Sequence, residues 1–386
     1  MTPLFTLSVA ARNMLTGKAR VLFAVAGVAV AVLLLSFILA LYRGWNEGLV
    51  TYIEETDADL WIAPFGSDSL FTPGFFSTAF VDLVKQQPGV ESITPLIYRP
   101  SKLRTASGAW DTWVIGFGAG APGGPTHIER GSGEPVAGEI VIDEVLAKLS
   151  GAEIGDTVDI GGDQLRIVGI SSGGNAVFAQ LSFVSLAQAK AAMRRAIDES
   201  GISSVATIDP ETIVNLALVR TPPGERQATY ERIRKNVPGV QAWLPSEFAS
   251  RSSQALRQSM SPILVIILGI AFLVGTLVMG LTVFTTVIEK EREFGVIKAL
   301  GVPGPGLLRV VFEQAVVTCV LGFIAGIIAA FVAAWLVKLA VPQFIVSFKA
   351  ADVAMVFGGA IAMSAIASIV PAGRIMRADA LAVFKA

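Results

Sequence analysis

"VLFAVAGVAVAVLLLSFILALY" (residues 21–42) is an apolar run without a single charged side chain. A helix needs about 20 such residues to cross the hydrocarbon core of a bilayer. The run is longer than the hydrophobic region of a signal peptide, and no small-x-small cleavage site follows it. We therefore predict a membrane-spanning helix here rather than a cleaved signal peptide.

Three further apolar runs lie in the second half of the chain. They cover residues 262–287, 310–337 and 353–370, and hydrophobic residues make up 53% of the 386 positions. The long segment between the first two runs is far more polar. The predicted fold class is therefore an α-helical transmembrane domain of four spans, with a large extracytoplasmic α+β domain inserted between spans 1 and 2.

Basic residues near the ends of the spans predict their orientation. They cluster before span 1, between spans 2 and 3 and after span 4, as Arg12, Lys18 and Arg20, then Lys290, Arg292, Lys298 and Arg309, then Arg374, Arg377 and Lys385. We therefore place residues 288–309, the tail 371–386 and both termini in the cytoplasm, and the loop 338–352 outside. Residues 1–20 fit a cytoplasmic amphipathic helix on the membrane surface, with a disordered tail as the alternative.

The inserted segment, residues 43–261, is too long for a loop and predicts a folded domain. Short runs rich in β-branched and aromatic residues predict strands, and two stretches have helical periodicity. The strands are 59–64, 112–117, 157–160, 165–170 and 214–220, and the helices are 185–200 and 224–237. A hairpin is predicted to turn at Gly161 and Gly162. Residues 245–261 predict a stalk helix that leads into span 2.

Composition excludes several classes of function. The 30 basic and 31 acidic side chains leave no basic footprint for nucleic acid. A single cysteine, Cys319, rules out an internal disulfide and a thiolate zinc cluster, and a single histidine, His127, strongly disfavours a histidine-dependent hydrolase or a histidine-rich metal site. The stretch "GAGAPGGP" (118–125) lacks the lysine and hydroxyl of a phosphate-binding loop, so we predict a flexible outer loop and no ATP hydrolysis by this chain.

The connection between spans 2 and 3, "EKEREFGVIKALGVPGP" (289–305), is charged and helix-forming. Phe294, Ile297 and Leu300 recur at intervals of three and form an apolar stripe, while Glu289 and Glu293 share another face. Gly301 and the proline at 303 end the helix. These features predict a short amphipathic helix that docks into a partner's groove. The alternative is a solvated loop whose basic residues only keep it on the cytoplasmic side of the membrane.

The same stretch resembles the E-x-x-x-E-x-G-x-x-K/R-A-x-G-A signature of FtsX-like ABC transporter permeases of the MacB type. The matching residues are Glu289, Glu293, Gly295, Lys298, Ala299 and Gly301, with Val302 where alanine is more usual. Glu313 stands at the family's acidic position near the start of span 3. Residues 138–170 resemble the MacB-like core domain, whereas the tail 371–386 matches less closely.

The resemblance implies that Glu289–Gly301 is the coupling helix. Its contact residues would be Glu289, Glu293, Phe294, Gly295, Ile297, Lys298, Ala299, Leu300 and Gly301. It also implies a multi-pass protein of the bacterial cytoplasmic membrane that pairs with a second permease copy, identical or related. A separate cytoplasmic ABC ATPase dimer would bind ATP and Mg, so this chain would be non-catalytic and hold no cofactor. The lipid bilayer and a periplasmic adaptor are further expected partners.

The resemblance implies mechanotransmission, in which ATP-driven closure of the ATPases moves the outer domains and a hydrophobic or amphipathic substrate is exported or extracted. The alternative is an FtsX-like signalling permease that transports nothing and regulates an extracytoplasmic partner such as a cell-wall hydrolase. The size of the insertion favours the MacB type. An enzyme is disfavoured, because Asp143 and Glu144 are adjacent and end a predicted strand rather than forming a spaced acid–base pair.

Three features of the spans remain open at this point. Glu313 is either a proton or substrate site or the partner of Arg309 in a structural ion pair. The small-xxx-small motif "GFIAG" (322–326) packs spans either within one subunit or across a dimer interface. The small residues Ala24, Gly27 and Ala31 of span 1 are candidates to face a partner subunit.

Overall fold

The computed structural model describes residues 18–71, 74–173, 175–176, 179–199, 209–289, 304–340 and 346–377. The chain divides into two compact units. The membrane unit contains Met1–Arg43, Ser261–Leu339 and Val346–Ala386, and the inserted unit contains Gly44–Met260 and Ala340–Ile345. Most of the amphipathic helix predicted at residues 1–20 lies outside the described residues.

The α-helices in the described residues vary widely in length. They are α1 (Lys18–Glu55), α2 (Thr78–Lys85), α3 (Glu144–Ser150), α4 (Leu186–Glu199), α5 (Arg226–Asn236), α6 (Pro245–Glu289), α7 (Gly304–Ala340) and α8 (Ala350–Arg377). Helices α1, α6, α7 and α8 are each long and apolar enough to cross a membrane. The four predicted spans are therefore confirmed as long apolar helices.

Helices α1 and α6 extend well beyond the length that a bilayer requires. Helix α1 continues from the apolar run through Arg43 to Glu55, and no proline interrupts this extension. Helix α6 begins with Pro245, a residue suited to a first helical position, and runs without a break through Pro262 to Glu289. The segment predicted as a stalk helix is thus the first part of one helix that includes span 2.

The membrane unit has its own apolar core, formed by all four long helices. Its buried residues include Val28 and Val32 of α1, Met279 and Val283 of α6, Ala315 and Cys319 of α7, and Ala360 and Met363 of α8. Many large apolar side chains on the other helix faces are exposed, as expected where lipid replaces water.

The inserted unit is built on a mixed β-sheet. Its strands are β1 (Leu60–Pro64), β2 (Phe76–Ser77), β3 (Ser92–Thr105), β4 (Gly108–Phe117), β5 (His127–Gly131), β6 (Glu139–Asp143), β7 (Thr157–Ile160), β8 (Asp163–Ser172), β9 (Asn175–Ala176), β10 (Ala179–Ser185), β11 (Ile213–Val214), β12 (Leu216–Arg220) and β13 (Val240–Trp243). The main sheet has the order β13-β1-β12-β3-β4-β10-β6-β8-β5, with β7 against β3 and β8 and β9 against β10, whereas β2 and β11 form a separate sheet of two strands. The pairs β4–β10 and β6–β8 are parallel.

Local sequence explains several of these elements. Strands β7 and β8 form the predicted hairpin, and its turn residues Gly161 and Gly162 both have positive φ, which this tight turn requires. Both predicted helices are confirmed as α4 and α5. The strand predicted at 214–220 is interrupted at Asn215, whose side-chain oxygen accepts a hydrogen bond from the Tyr98 backbone N–H at 2.8 Å.

Candidate functional site

The predicted coupling segment lies mostly outside the described residues. Glu289 is the last residue of α6, and α7 begins at Gly304. Glu293, Phe294, Gly295, Ile297, Lys298, Ala299, Leu300 and Gly301 all fall between these two helices, in the part of the chain that the structure does not describe. Their role therefore stays a prediction.

Arg309 and Glu313 lie one turn apart near the start of α7. Arg309 Nε donates a hydrogen bond to Glu313 Oε1 at 2.8 Å. The arginine side chain is 51% exposed, whereas the glutamate side chain is only 16% exposed. The arrangement is that of an ion pair along one helix face, which keeps a carboxylate at the start of an apolar helix partnered.

The two glycines of the "GFIAG" motif face α1 of the same chain. A Cβ on Gly326 would lie 2.6 Å from the Ala29 carbonyl oxygen and 2.7 Å from Val32 Cβ. A Cβ on Gly322 would lie 2.6 Å from Val28 Cβ. The motif therefore brings α7 close to α1 within one subunit. Of the two alternatives that the sequence left open, it serves packing within the chain rather than across a dimer interface.

Small residues of α1 are used in the same way, against α6. A Cβ on Gly27 would overlap Val278, and a Cβ on Gly275 would lie 2.8 Å from Ala31 Cβ. Ala24 and Ala31 are both buried within the single chain. The expectation that Ala24, Gly27 and Ala31 face a partner subunit is therefore wrong, because their small size serves packing inside this chain.

Arg43 and Asp352 form a bidentate ion pair that the sequence analysis missed. Arg43 Nη2 donates to Asp352 Oδ1 at 2.6 Å, and Arg43 Nε donates to Asp352 Oδ2. The Ser347 backbone N–H also donates to the Ala40 carbonyl at 3.0 Å. The pair joins α1 to the first turn of α8. Its signal was available, because Asp352 is the only acidic residue between positions 338 and 370.

The ends of α1 and α6 that belong to the inserted unit share one hydrophobic core. Tyr52 and Ile53 of α1 and Phe248 and Ala249 of α6 are buried in it, together with Trp61 of β1. The Trp61 and Phe248 rings stack with centroids 5.2 Å apart, and Tyr52 meets Trp61 edge-on at 6.2 Å. Each helix is thus anchored in the inserted unit by aromatic packing.

The glycine-rich loop at residues 118–125 is packed, in contrast to the prediction of a flexible loop. Tyr52 Oη donates a hydrogen bond to the Gly123 carbonyl at 3.1 Å. Gly123 has φ +104, and a Cβ there would lie 2.5 Å from Leu96 Cδ2. Gly123 is therefore needed for close packing against the end of α1 and strand β3.

The same loop lines one side of a cavity of about 380 Å³. The charged residues that line this cavity are Glu55, Asp57, Glu134 and Arg220. Arg220 forms an ion pair with Asp57.

Asp143 and Glu144 have structural roles. Asp143 ends β6, as predicted, and its side chain caps α3 by accepting a hydrogen bond from the Val145 backbone N–H at 2.9 Å. Glu144 pairs with Lys148 one turn along the same helix. The geometry is that of a helix start rather than an acid–base pair.

Two family models match the chain. The model described as "FtsX-like permease C-terminal" matches residues 265–380, and "MacB-like periplasmic core domain" matches residues 21–237, more than half of the chain. Curated relatives include an uncharacterized ABC transporter permease of Mycobacterium bovis, 24% identical over 319 residues, which are 82% of this chain and 83% of the relative. A second, of Mycobacterium tuberculosis, is 24% identical over 331 residues, 85% of this chain and 84% of the relative.

Two solved structures also align with part of the chain. One is the extracellular domain of the noncanonical ABC-type transporter YknZ from Gram-positive bacteria, with 14% identity, 48% of this chain and 98% of that chain covered, and a TM-score of 0.34. The other is the periplasmic region of MacB from Actinobacillus actinomycetemcomitans, with 12% identity, 54% and 95% covered, and the same TM-score of 0.34.

Proposed function

Because this chain belongs to the FtsX-like, MacB-type ABC transporter permeases, we propose that it couples ATP hydrolysis by a separate ATPase subunit to export or extraction of a hydrophobic or amphipathic substrate. The coupling is mechanical. Movement that starts at the cytoplasmic ATPases passes along the long helices into the inserted unit, which acts on a substrate outside the cytoplasm.

The observation that carries this proposal is the continuity of α1 and α6. Each is one helix that contributes residues to both compact units. A helix has hydrogen bonds at every turn and transmits displacement along its axis without a loop to absorb it. At the far end, Tyr52 and Phe248 are buried in one aromatic core, so both helices hold the same part of the inserted unit.

The cytoplasmic input in this proposal is the segment that follows Glu289 directly. Its apolar stripe of Phe294, Ile297 and Leu300 would fill a groove on the ATPase, while Glu289 and Glu293 would orient it against basic groups. Because this segment directly follows Glu289, the last described residue of α6, a push on it would act on α6.

The assembly in this proposal follows from the same family. Two permease copies, identical or related, stand in the cytoplasmic membrane with both termini inside, above an ATPase dimer that binds ATP and Mg. Nothing in this chain would contact the nucleotide. A periplasmic adaptor would join the inserted unit where the substrate has to travel further.

The decisive experiment measures ATP hydrolysis by the permease in lipid nanodiscs with the ATPase that copurifies with it. We expect Glu293→Lys and Phe294→Asp to abolish copurification or permease-stimulated hydrolysis, because the first reverses a docking charge and the second places a charge in the apolar stripe. Matched controls are Glu134→Lys and Phe65→Asp, the same substitutions at exposed positions of the inserted unit. These two variants should copurify and hydrolyse ATP as the wild type does.

Two outcomes would contradict parts of the proposal. Unchanged ATPase binding and stimulation in Glu293→Lys and Phe294→Asp would mean that the segment is a charged loop. Normal coupling without movement of any amphipathic substrate, but with activation of an extracytoplasmic hydrolase, would replace transport by the signalling function.

A further inference from the structure

A small group of cationic and hydroxyl side chains gathers beside the β7–β8 turn of the inserted unit. Arg99 and Ser101 lie two residues apart on β3 and therefore on one face of the sheet. A Cβ on Gly161 would lie 3.0 Å from Arg99 Nη2 and 3.1 Å from Ser101 Oγ. Both groups therefore lie beside the face of Gly161 that carries no side chain. Arg195, on α4, adds a second guanidinium beside the same turn, because it pairs with Asp163, two residues after Gly161.

The charges of this group do not balance. Arg195 is paired with Asp163, the first residue of β8. Arg99 has no ion pair among the residues that the structure describes. The positions of the inserted segment that it does not describe (72–73, 174, 177–178 and 200–208) contain no aspartate or glutamate. The group therefore contains two guanidiniums and one carboxylate, and that carboxylate pairs with Arg195.

Burial makes this surplus charge costly. Arg99 is half-buried, and its pKa is lowered first by that burial and second by the nearby charge of Arg195. Ser101 Oγ and Arg195 Nε are buried atoms that have no hydrogen-bond partner in the described residues. A buried polar group without a partner destabilises the folded state, and does so more strongly if it is charged. Most buried polar groups in folded proteins have a partner, and a bound ion is one way in which the remaining ones are satisfied.

We propose that Arg99, Ser101 and Arg195 bind the anionic group of a small ligand, a carboxylate or a phosphate. A planar guanidinium presents paired N–H donors that match such an anion, and the serine hydroxyl supplies a further donor. The bound anion neutralises the second arginine and gives partners to the orphaned atoms. The site lies in the inserted unit and does not rest on the coupling proposed above, so either proposal can fail alone.

The anionic group that binds here could belong to a free anion or to the charged head of an amphipathic molecule. Isothermal titration calorimetry on the full-length permease in neutral detergent, at constant ionic strength in chloride, distinguishes them with two probes. These are inorganic phosphate and dodecyl phosphate. We expect the wild type to bind at least one of them. Tighter binding of dodecyl phosphate indicates an amphipathic ligand, and equal affinities indicate a free anion.

The variants test the residues. Arg99→Gln should weaken binding at least about tenfold, since a hydrogen bond to a charged group contributes about 1.5–3 kcal/mol. Ser101→Ala should weaken it less, about threefold, as expected for a single hydroxyl donor. Arg166→Gln is the matched control, because it removes an exposed arginine that pairs with Glu139 in the same unit. This control should bind as the wild type does.

The folded state of Arg99→Gln is checked by its unfolding temperature. Without phosphate we expect that temperature to equal or exceed the wild-type value, because the variant loses a half-buried charge that lacks a carboxylate. The proposal is overturned if the wild type binds neither probe, or if Arg99→Gln keeps the wild-type affinity.

Discussion

Single glycines set how closely the helices of the membrane unit approach one another. Gly326 of α7 lies against the backbone of α1, whereas Gly358 of α8 has nothing within 4 Å of the place where a Cβ would stand. Both are interior helix positions with equal backbone demands. The same substitution at these two glycines therefore compares a position that contacts a neighbouring helix with one that does not.

We predict that Gly326→Ala destabilises the protein by about 1–3 kcal/mol, as overpacking in a tight contact does. The new methyl would meet the Ala29 carbonyl, which cannot move without shifting α1. Gly358→Ala should be neutral or stabilising by up to about 1 kcal/mol, because alanine favours a helix over glycine. Unfolding temperatures in detergent micelles measure both. Equal shifts for the two variants would contradict the packing of α7 on α1.

The pair of Arg43 and Asp352 is the second prediction at this scale. Asp352→Asn should lower the free energy of unfolding by about 1–3 kcal/mol. This is less than the cost of breaking a fully buried ion pair, because the arginine side chain is 36% exposed. The exchanged double variant, Arg43→Asp with Asp352→Arg, should recover part of the loss. Lys102→Ala, in an exposed pair with Asp111, is the control and should change stability by less than about 1 kcal/mol. No recovery in the exchange would mean that the two charges do not act on each other.

At the scale of elements, Asp59 holds three of them together. It directly precedes β1, accepts a hydrogen bond from the Thr221 backbone after β12 at 2.8 Å, and pairs with Arg226, the first residue of α5. Partial burial acts to raise the pKa of Asp59, but the hydrogen bonds from Thr221 and Arg226 outweigh it. The net pKa is lowered from its ordinary value of 3.8.

A lowered pKa in the folded state has a definite consequence for acid stability. The stabilisation from Asp59 is complete above the unfolded-state pKa and is lost as the pH falls through the lower folded-state pKa, below pH 3.8. We predict that Asp59→Asn flattens the fall of the unfolding temperature in this acid range. Arg226→Gln removes one cause of the lowered pKa and should move the loss to higher pH. If the unfolding temperature falls with pH in the same way for the wild type and both variants, Asp59 contributes nothing to acid stability.

Sequence patterns predicted the local elements better than the distant contacts. The four apolar helices and the hairpin at Gly161 follow from hydropathy and turn chemistry, which act over a few residues. The extension of α1 to Glu55 was missed, because beyond Arg43 the helix carries polar residues and gains its burial from the inserted unit. The glycine-rich loop was taken as flexible, since its packing partners Tyr52 and Leu96 are remote in sequence.

The candidate site divides in the same way. The pairing of Arg309 with Glu313 was visible from their spacing on one helix. The pairing of Arg43 with Asp352 joins residues far apart in the chain, and no periodicity indicates it. Likewise, the motif at 322–326 showed that two helices approach closely but not which helix would be the neighbour.

At the scale of the whole molecule, the prediction concerns orientation. In a variant without its native cysteine (Cys319→Ala), we expect Ala106→Cys, exposed between β3 and β4, to react with a membrane-impermeant maleimide in intact spheroplasts. Val302→Cys, in the predicted cytoplasmic segment, should react only after the spheroplasts are opened. Cys319 itself is buried in the membrane unit, so Cys319→Ala removes background maleimide labelling without changing the protein surface. The reverse labelling pattern would invert the topology.

The order of strands has a consequence for how the protein is made. Strand β1, the first of the inserted unit, pairs with β12 on one side and β13 on the other, and β13 is the last strand. As the nascent chain leaves the ribosome, Trp61 therefore has no neighbouring strand until Leu218 of β12 has been made, and it lacks its second neighbour until Trp243 of β13 follows. Unpaired apolar strands are the segments at which newly made chains aggregate. Helix α6 begins at Pro245, so the sheet receives its last strand just before the helix that includes span 2 is made, and the first strand stays incompletely paired until then.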